Sequence, residues 1–280
     1  MRQPDDILRD LNEAVSMVNS LNHVSFDDRL GLDPDAYTWI ERKCRVNGVH
    51  EPATMAAFLV GKDLTPFNEV FDCGALYGYF SLWARELKPD VRITAFDVHP
   101  AAIKALRDNL PDATIAHVAL SDISGPDRQI WISGFNLFEE PDAGWEDLVN
   151  DSAAMKPRGK NNRGRGFIYV PLLSLDDHCE ATGAKPDFIK IDVEAYQAKA
   201  VRGAIKTIEK YRPMIVIELH DPEKIARMGT TNKDTVQPLF DMGYSGYWCG
   251  NFRDADASFE RVGEMTDRHE KLSIMVFAVA

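Results

Sequence analysis

Acidic residues gather at the ends of apolar runs in this chain. VFDCGALYG at 70–78 passes from an apolar stretch into Asp72 and then a turn carrying Gly74 and Gly78. RITAFD at 92–97 ends in Asp97, and FIKIDVE at 188–194 ends in Asp192 and Glu194. A fourth run, MIVIEL at 214–219, carries Glu218 and is followed by His220. Residues two apart in a strand share a face, so Asp192 goes with Glu194 and Glu218 with His220. If the two strands are neighbours, carboxylates and an imidazole meet at the C-terminal edge of the sheet, where open α/β sheets bind ligands. The chemistry open to such a set is proton abstraction. His220 is the expected base, with Asp192 or Glu194 orienting it or the substrate. Oxygen and imidazole donors at this spacing could instead hold a divalent metal such as Mg²⁺ or Mn²⁺, which is the less favoured reading.

The turn after the first run narrows the ligand. Its glycines let a backbone come close, and a helix starting near Tyr79 offers free N–H groups. The spacing is G-x-x-x-G rather than the G-x-G-x-x-G that seats a pyrophosphate, and Asp72 would repel a pyrophosphate while attracting an ammonium or sulfonium. Asp97, at the end of the next strand, can accept hydrogen bonds from both hydroxyls of a ribose. An adenosine ligand with a cationic, phosphate-free tail fits both acids, and S-adenosyl-L-methionine is such a ligand, with S-adenosyl-L-homocysteine as its product. A nicotinamide-dependent oxidoreductase would share the strands and Asp97 but not the glycine spacing. A catalytically inactive cofactor-binding protein is the other alternative.

These groups need a scaffold that brings strand ends together. The patterns predict strands over 69–73, 92–97 and 114–120, with helices over 79–87 and 101–109 between them, the second opened by Pro100. The alternation resumes with a strand over 188–193, a helix over 197–211 and a strand over 214–219. It implies right-handed crossovers and a parallel, doubly wound sheet. A helix near 233–242 and strands near 244–249 and 272–279 follow, the two strands forming an antiparallel edge. Upstream, apolar residues at helical spacing over 5–21 and a helix over 53–60 suggest a helical extension, 1–62, over the cofactor pocket of a domain spanning 63–280. Between 133 and 167 the rhythm breaks into Gly, Pro, Asn and Arg, which reads as an inserted lid.

The order of motifs resembles the FkbM family of S-adenosylmethionine-dependent methyltransferases, within the class I Rossmann-like fold. The resemblance runs through GVHEP at 48–52, DCGALYGYFSL, AFDVHP, ALSD at 119–122, PLLSLDD, PDFIKIDVEAYQAKAVRGA and RPMIVIELH. It implies methyl transfer, often to a hydroxyl oxygen of a sugar or natural product. By position it would put Glu51, Asp72, Gly74 and Gly78 at the methionine end of the cofactor, Asp97 at the ribose, and Ser121 and Asp122 at the adenine. The chain departs from the family pattern at Leu76, where Asn is usual, and at Asp97, where Glu is usual. Ala195 and Gln197 stand where an E-G-x-E pattern has Gly and Glu; the first change is expected to be small, the second to weaken any base or metal role there.

Composition limits the partners. A net charge of −12 over 280 residues opposes nucleic acid and anionic membranes. The exception is the segment holding Lys156, Arg158, Lys160, Arg163 and Arg165, which could clamp a phosphate or carboxylate on a small-molecule or glycan acceptor. It lacks the interleaved aromatics that single-stranded nucleic acid would need. Cys44, Cys73, Cys179 and Cys249 form no C-x-x-C pair and read as free thiols. With no signal-peptide pattern or membrane-spanning run, a cytoplasmic protein is expected. The aromatic group Tyr244, Tyr247, Trp248 and Phe252 could serve a homo-oligomer interface as readily as a core.

Overall fold

The computed structural model describes residues 2–20, 49–133, 136–138 and 166–279. β1 (Glu69–Cys73), β2 (Arg92–Asp97) and β3 (Thr114–His117) are joined by helices Tyr79–Leu87 and Pro100–Asn109. The chain then makes β4 (Ala119–Leu120), β5 (Gly125–Ser133), β6 (Asn136–Phe138) and β7 (Gly166–Leu173). β8 (Phe188–Ile191) and β9 (Met214–Leu219) follow, and β10 (Ser245–Cys249), β11 (Glu260–Val262) and β12 (Ser273–Ala278) complete the strands.

Among the described residues the main sheet has the order β11-β10-β12-β9-β8-β1-β2-β3. It is parallel from β9 to β3 and antiparallel from β9 to β11. This is the expected doubly wound, mostly parallel α/β sheet with an antiparallel C-terminal edge. The chain steps outward from β1 to β3 and then returns to the other side of β1 as β8. The carboxyl ends of β1 and β8 therefore flank the crevice where such sheets take ligands.

Side chains alternate between two cores, as the period of two requires. Val70, Ile93, Phe188, Met214, Val216 and Ile274 face one side with helices Pro4–Ser20, Pro52–Leu64 and Tyr79–Leu87. Phe71, Phe96, Ile189, Ile191, Ile215 and Met275 face the other, with helices Leu175–Thr182, Ile205–Tyr211 and Asn232–Asp241. Prolines open helices Pro52–Leu64 and Pro100–Asn109 where a missing N–H costs nothing.

Several expectations change. The boundary expected at 62/63 falls inside helix Pro52–Leu64, whose buried residues share a core with β1. Helix Pro4–Ser20 packs on Pro52–Leu64 rather than over the crevice, since its apolar face (Ile7, Leu11, Val15, Val18) is matched there. The strand expected over 114–120 divides into β3, in the main sheet, and β4, which pairs with β7. The segment expected to be irregular from 133 is flanked by β5 and β7, paired with each other in a second sheet of order β4-β7-β5-β6. The helix expected over 197–211 is two, Gln197–Arg202 and Ile205–Tyr211, broken at Gly203. A Cβ on Gly203 would lie 2.0 Å from the Ser121 carbonyl oxygen. Tyr244, Tyr247, Trp248 and Phe252 are buried within the protomer, so they build the core and not an interface. Cys73, Cys179 and Cys249 are free and buried, while Cys44 lies outside the described residues. No helix among the described residues is long and apolar enough to cross a membrane.

Candidate active site

A cleft opens at the carboxyl ends of β9, β8, β1 and β2, with about 1260 Å³ of space free of atoms, its mouth included. Toward β2 its walls are apolar: Leu76, Phe96, Val98, Val118, Ala119 and Leu120. Toward β8 and β9 they turn polar: His50, Glu51, Lys190, Asp192, Glu194, Glu218 and Arg253. The cleft therefore has one end suited to a flat apolar ring and one suited to charge.

Asp97 stands at the apolar end. Its Oδ2 accepts from Leu76 N–H and its Oδ1 from His99 N–H, both at 2.8 Å, which fixes the carboxylate and leaves each oxygen a further lone pair. Asp97 is not the helix cap, because His99 takes that place and accepts from Ala101 N–H through Nδ1. Burial lifts the Asp97 pKa to about 6, against the two main-chain N–H donors that favour ionisation.

The sheet supplies the charged end from below. Asp72 and Lys190 sit opposite one another in the β1/β8 register on the face packed against helix Tyr79–Leu87. Lys190 Nζ lies 3.3 Å from Asp72 Oδ1, 3.5 Å from Asp192 Oδ2 and 3.2 Å from the Gly74 carbonyl oxygen. Ser81 Oγ donates to Asp72 at 2.7 Å. Asp72 is thus completely buried beneath the cleft and off its wall, because a residue inside β1 points at the helix and not at the strand end. Gly74 does reach the wall, at φ 77, and a Cβ there would sit 1.7 Å from the Asp192 carbonyl oxygen. Gly78, at φ 86, starts helix Tyr79–Leu87 against Leu106 and Leu110, away from the cleft.

Ser121 and Asp122 also fall outside the cleft. The β4/β7 pairing carries the chain past its wall, and Asp122 pairs with Arg202 at 3.2 Å, leaving Val118, Ala119 and Leu120 on the wall instead. Lys156, Arg158, Lys160, Arg163 and Arg165 lie outside the described residues.

Glu51 and Glu218 share Arg253, whose Nε donates to Glu51 at 3.1 Å and Nη2 to Glu218 at 3.0 Å. Burial works against ionising Glu51, yet His50, Arg253 and Lys190 hold it below the usual carboxylate range. Burial, with Asp192 and Glu51 close by, pushes Glu218 well above that range despite Arg253. Asp192 is raised too, first by burial and then by Glu194 and Glu51, with Lys190 opposing. Burial likewise disfavours ionised Glu194, but the His220 hydrogen bond and the Lys224 ammonium outweigh it and hold Glu194 below the usual carboxylate range.

His220 does not line the cleft, and both its ring nitrogens are taken. Nδ1 meets the Gln197 amide nitrogen, and Nε2 lies 3.2 Å from Glu194 Oε2. Neither ring nitrogen has a free lone pair turned to the cleft in this arrangement, unlike the base expected from its spacing. Asp192, Glu218 and His220 do place one ligand atom each within 4.8 Å of the others. Arg253 holds Glu218, Lys190 is beside Asp192, and His220 is fully bonded, so the cluster meets its own charge and is a poor metal site.

Left-handed backbone concentrates here. Glu51 (φ 50), Leu76 (φ 52) and Glu194 (φ 52) line the cleft, and Ala195 (φ 83) follows directly. This region costs a non-glycine residue roughly 1–2 kcal/mol. Ala195, where the family pattern has Gly, is therefore a strained position, and the change is larger than its one methyl suggests. Leu76, where the pattern has Asn, is strained likewise, since Asn tolerates this conformation better.

Lys190, Arg253 and His50 line the cleft without being among the expected site residues. A lysine inside the apolar run FIKI was a usable signal, because a buried strand keeps a charge only with a partner. Arg253 comes from the C-terminal region and carried no local sign.

A family model described as the methyltransferase FkbM domain matches residues 72–245. Among solved structures, the FkbM methyltransferase of Methylobacillus flagellatus KT is 11% identical at a TM-score of 0.45; the alignment covers 98% of this chain and 60% of that one, so this chain spans less than two thirds of its length. The O-methyltransferase of Bacillus cereus in complex with S-adenosylhomocysteine is 14% identical at a TM-score of 0.38, covering 95% and 100%. A TehB-like S-adenosylmethionine-dependent methyltransferase of Corynebacterium glutamicum is 14% identical at 0.40, covering 88% and 97%. No curated protein matches the chain. The family match runs from the end of β1 to the start of β10 and takes in Asp97, Lys190, Asp192, Glu194 and Glu218, and this chain belongs to the FkbM methyltransferase family.

Proposed function

We propose that this cleft binds S-adenosylmethionine and that the protein transfers a methyl group to a hydroxyl oxygen of a sugar, glycan or natural-product acceptor. The observation that carries the reading is Asp97, a carboxylate pinned by two main-chain N–H groups at the mouth of an apolar slot. Two ribose hydroxyls can donate to its remaining lone pairs while Leu76, Val98 and Leu120 cover an adenine. At the other end, the Glu51 and Asp192 carboxylates face a cationic amino-acid tail, and Arg253 and Lys190 face its carboxylate.

The bound cofactor supplies an electrophilic methyl carbon on a sulfonium. The side chains align the acceptor and remove its proton. Asp192 is the base of this reading: it is on the wall, and burial with neighbouring carboxylates raises its proton affinity. The hydroxyl proton passes to Asp192, the oxygen forms the new C–O bond, and the C–S electron pair stays on sulfur. Glu194 serves as a fixed negative charge rather than a base, given its low pKa. The cationic segment around Lys156, Arg158, Arg163 and Arg165 is the proposed contact for a phosphate or carboxylate on the acceptor.

The test is incubation with S-adenosylmethionine and a panel of hydroxylated acceptors, following S-adenosylhomocysteine by mass spectrometry. One acceptor should raise the product above the acceptor-free rate. Methylation confined to amines or thiols would contradict O-methyl transfer.

A further inference from the structure

Gln197 is fully buried at the start of helix Gln197–Arg202. Its Nε2 lies 2.7 Å from the Glu218 carbonyl oxygen and also meets Nδ1 of His220. A carbonyl oxygen only accepts, so the amide NH₂ must face it, which settles the orientation of the Gln197 side chain. Nδ1 of His220 is then the acceptor, and its proton rests on Nε2, aimed at Glu194 Oε2.

We propose that Gln197 is a positioning residue that locks His220 as the neutral Nε2–H tautomer and so holds the Glu194 carboxylate on the cleft wall. The chain of donors runs from Gln197 to His220 to Glu194, where Lys224 donates from the other side. It ties the exit of β9 to the exit of β8 across the turn whose backbone is left-handed at Glu194 and Ala195. A strained turn stays in place only when its surroundings over-determine it, and these bonds do so. The tautomer stands on the hydrogen bonds alone; the benefit of a fixed Glu194 to a sulfonium ligand rests on the proposed function.

Long-range ¹H–¹⁵N spectra of protein labelled at histidine, recorded at pH 8, test the lock directly, with His220 assigned by the loss of its signals in His220→Gln. The wild type should show the Nε2–H pattern, and Gln197→Glu should place a proton on Nδ1, which the new carboxylate can accept. An Nδ1–H tautomer in the wild type overturns the proposal, as does an unchanged tautomer in folded Gln197→Glu. Calorimetric titration supplies the second readout. Gln197→Leu should bind S-adenosylmethionine about tenfold more weakly, the effect of losing one hydrogen bond to a charged group. Adding Glu194→Gln should weaken it little further, because both changes remove the same interaction. Equal affinity of Gln197→Leu and wild type overturns the hold on Glu194. A wild type that binds no S-adenosylmethionine sinks the functional reading instead and leaves the spectra to decide on the lock.

Discussion

Lys190 Nζ, at the floor of the cleft beside Gly74 and Asp192, lies 3.3 Å from Asp72 Oδ1, which is buried directly beneath it. The pair holds the ends of β1 and β8 at one height and turns the acid that opens the first motif into part of the foundation.

Removing the cation should therefore cost far more than a surface charge would. Lys190→Met leaves Asp72 buried without its partner, for a loss of about 3–5 kcal/mol in urea unfolding. A loss below about 1 kcal/mol would mean that the pair is not closed in solution.

The glycines of the first turn separate by position. Gly74→Ala puts a Cβ 1.7 Å from the Asp192 carbonyl oxygen at a left-handed φ, so it should lose about 3 kcal/mol or more and with it cofactor binding. In Gly78→Ala the new atom meets the movable ends of Leu110 and Leu106, at 2.9 and 3.2 Å, and binding should survive. Thermal melts and titrations of the two variants compare them, and equal damage would count against the placement.

Asp97 sets the pH dependence. Burial raises its pKa to about 6, so the folded protein without ligand takes up a proton that the unfolded chain releases at lower pH. This contribution to stability is complete below the unfolded value near 3.9 and is lost as pH rises through about 6. In the proposed binding mode the ribose hydroxyls donate to the ionised form, so affinity runs the opposite way and should be about tenfold weaker at pH 5 than at pH 8. Asp97→Asn should flatten that profile, and a profile unchanged by the substitution would remove Asp97 from the pH response.

The charge balance of Asp192, Glu218 and His220 predicts independence from metal. Dialysis against EDTA should leave the melting temperature and cofactor affinity unchanged, and neither should respond to millimolar Mg²⁺ or Mn²⁺. A metal-dependent rise in either would show that the cluster opens to take an ion.

Much of this was legible in the sequence where local pattern governs. The apolar runs match β1, β2, β8 and β9, and the acid at the end of β2 reaches the cleft wall, because a strand end must reach the C-terminal edge of the sheet. What failed depended on register and on distant packing. Spacing put Glu218 and His220 on one face but could not show that Gln197, from another element, occupies His220. Asp72 read like Asp97, yet it is one residue inside the end of β1, and that turns it into the core. Arg253 reaches Glu51 and Glu218 through the fold of the C-terminal region, with no periodic signal. The β5/β7 pairing spans the segment with the least pattern, so its strands had no local mark.

In the proposed function this cleft recognises an adenosine ligand through Asp97. Isothermal titration of S-adenosylmethionine and S-adenosylhomocysteine into wild type and Asp97→Ala tests it most directly. Micromolar binding of both by the wild type, weakened by about 1–3 kcal/mol in the variant, is the predicted result. No heat with either ligand, or equal affinity in the two proteins, would contradict it.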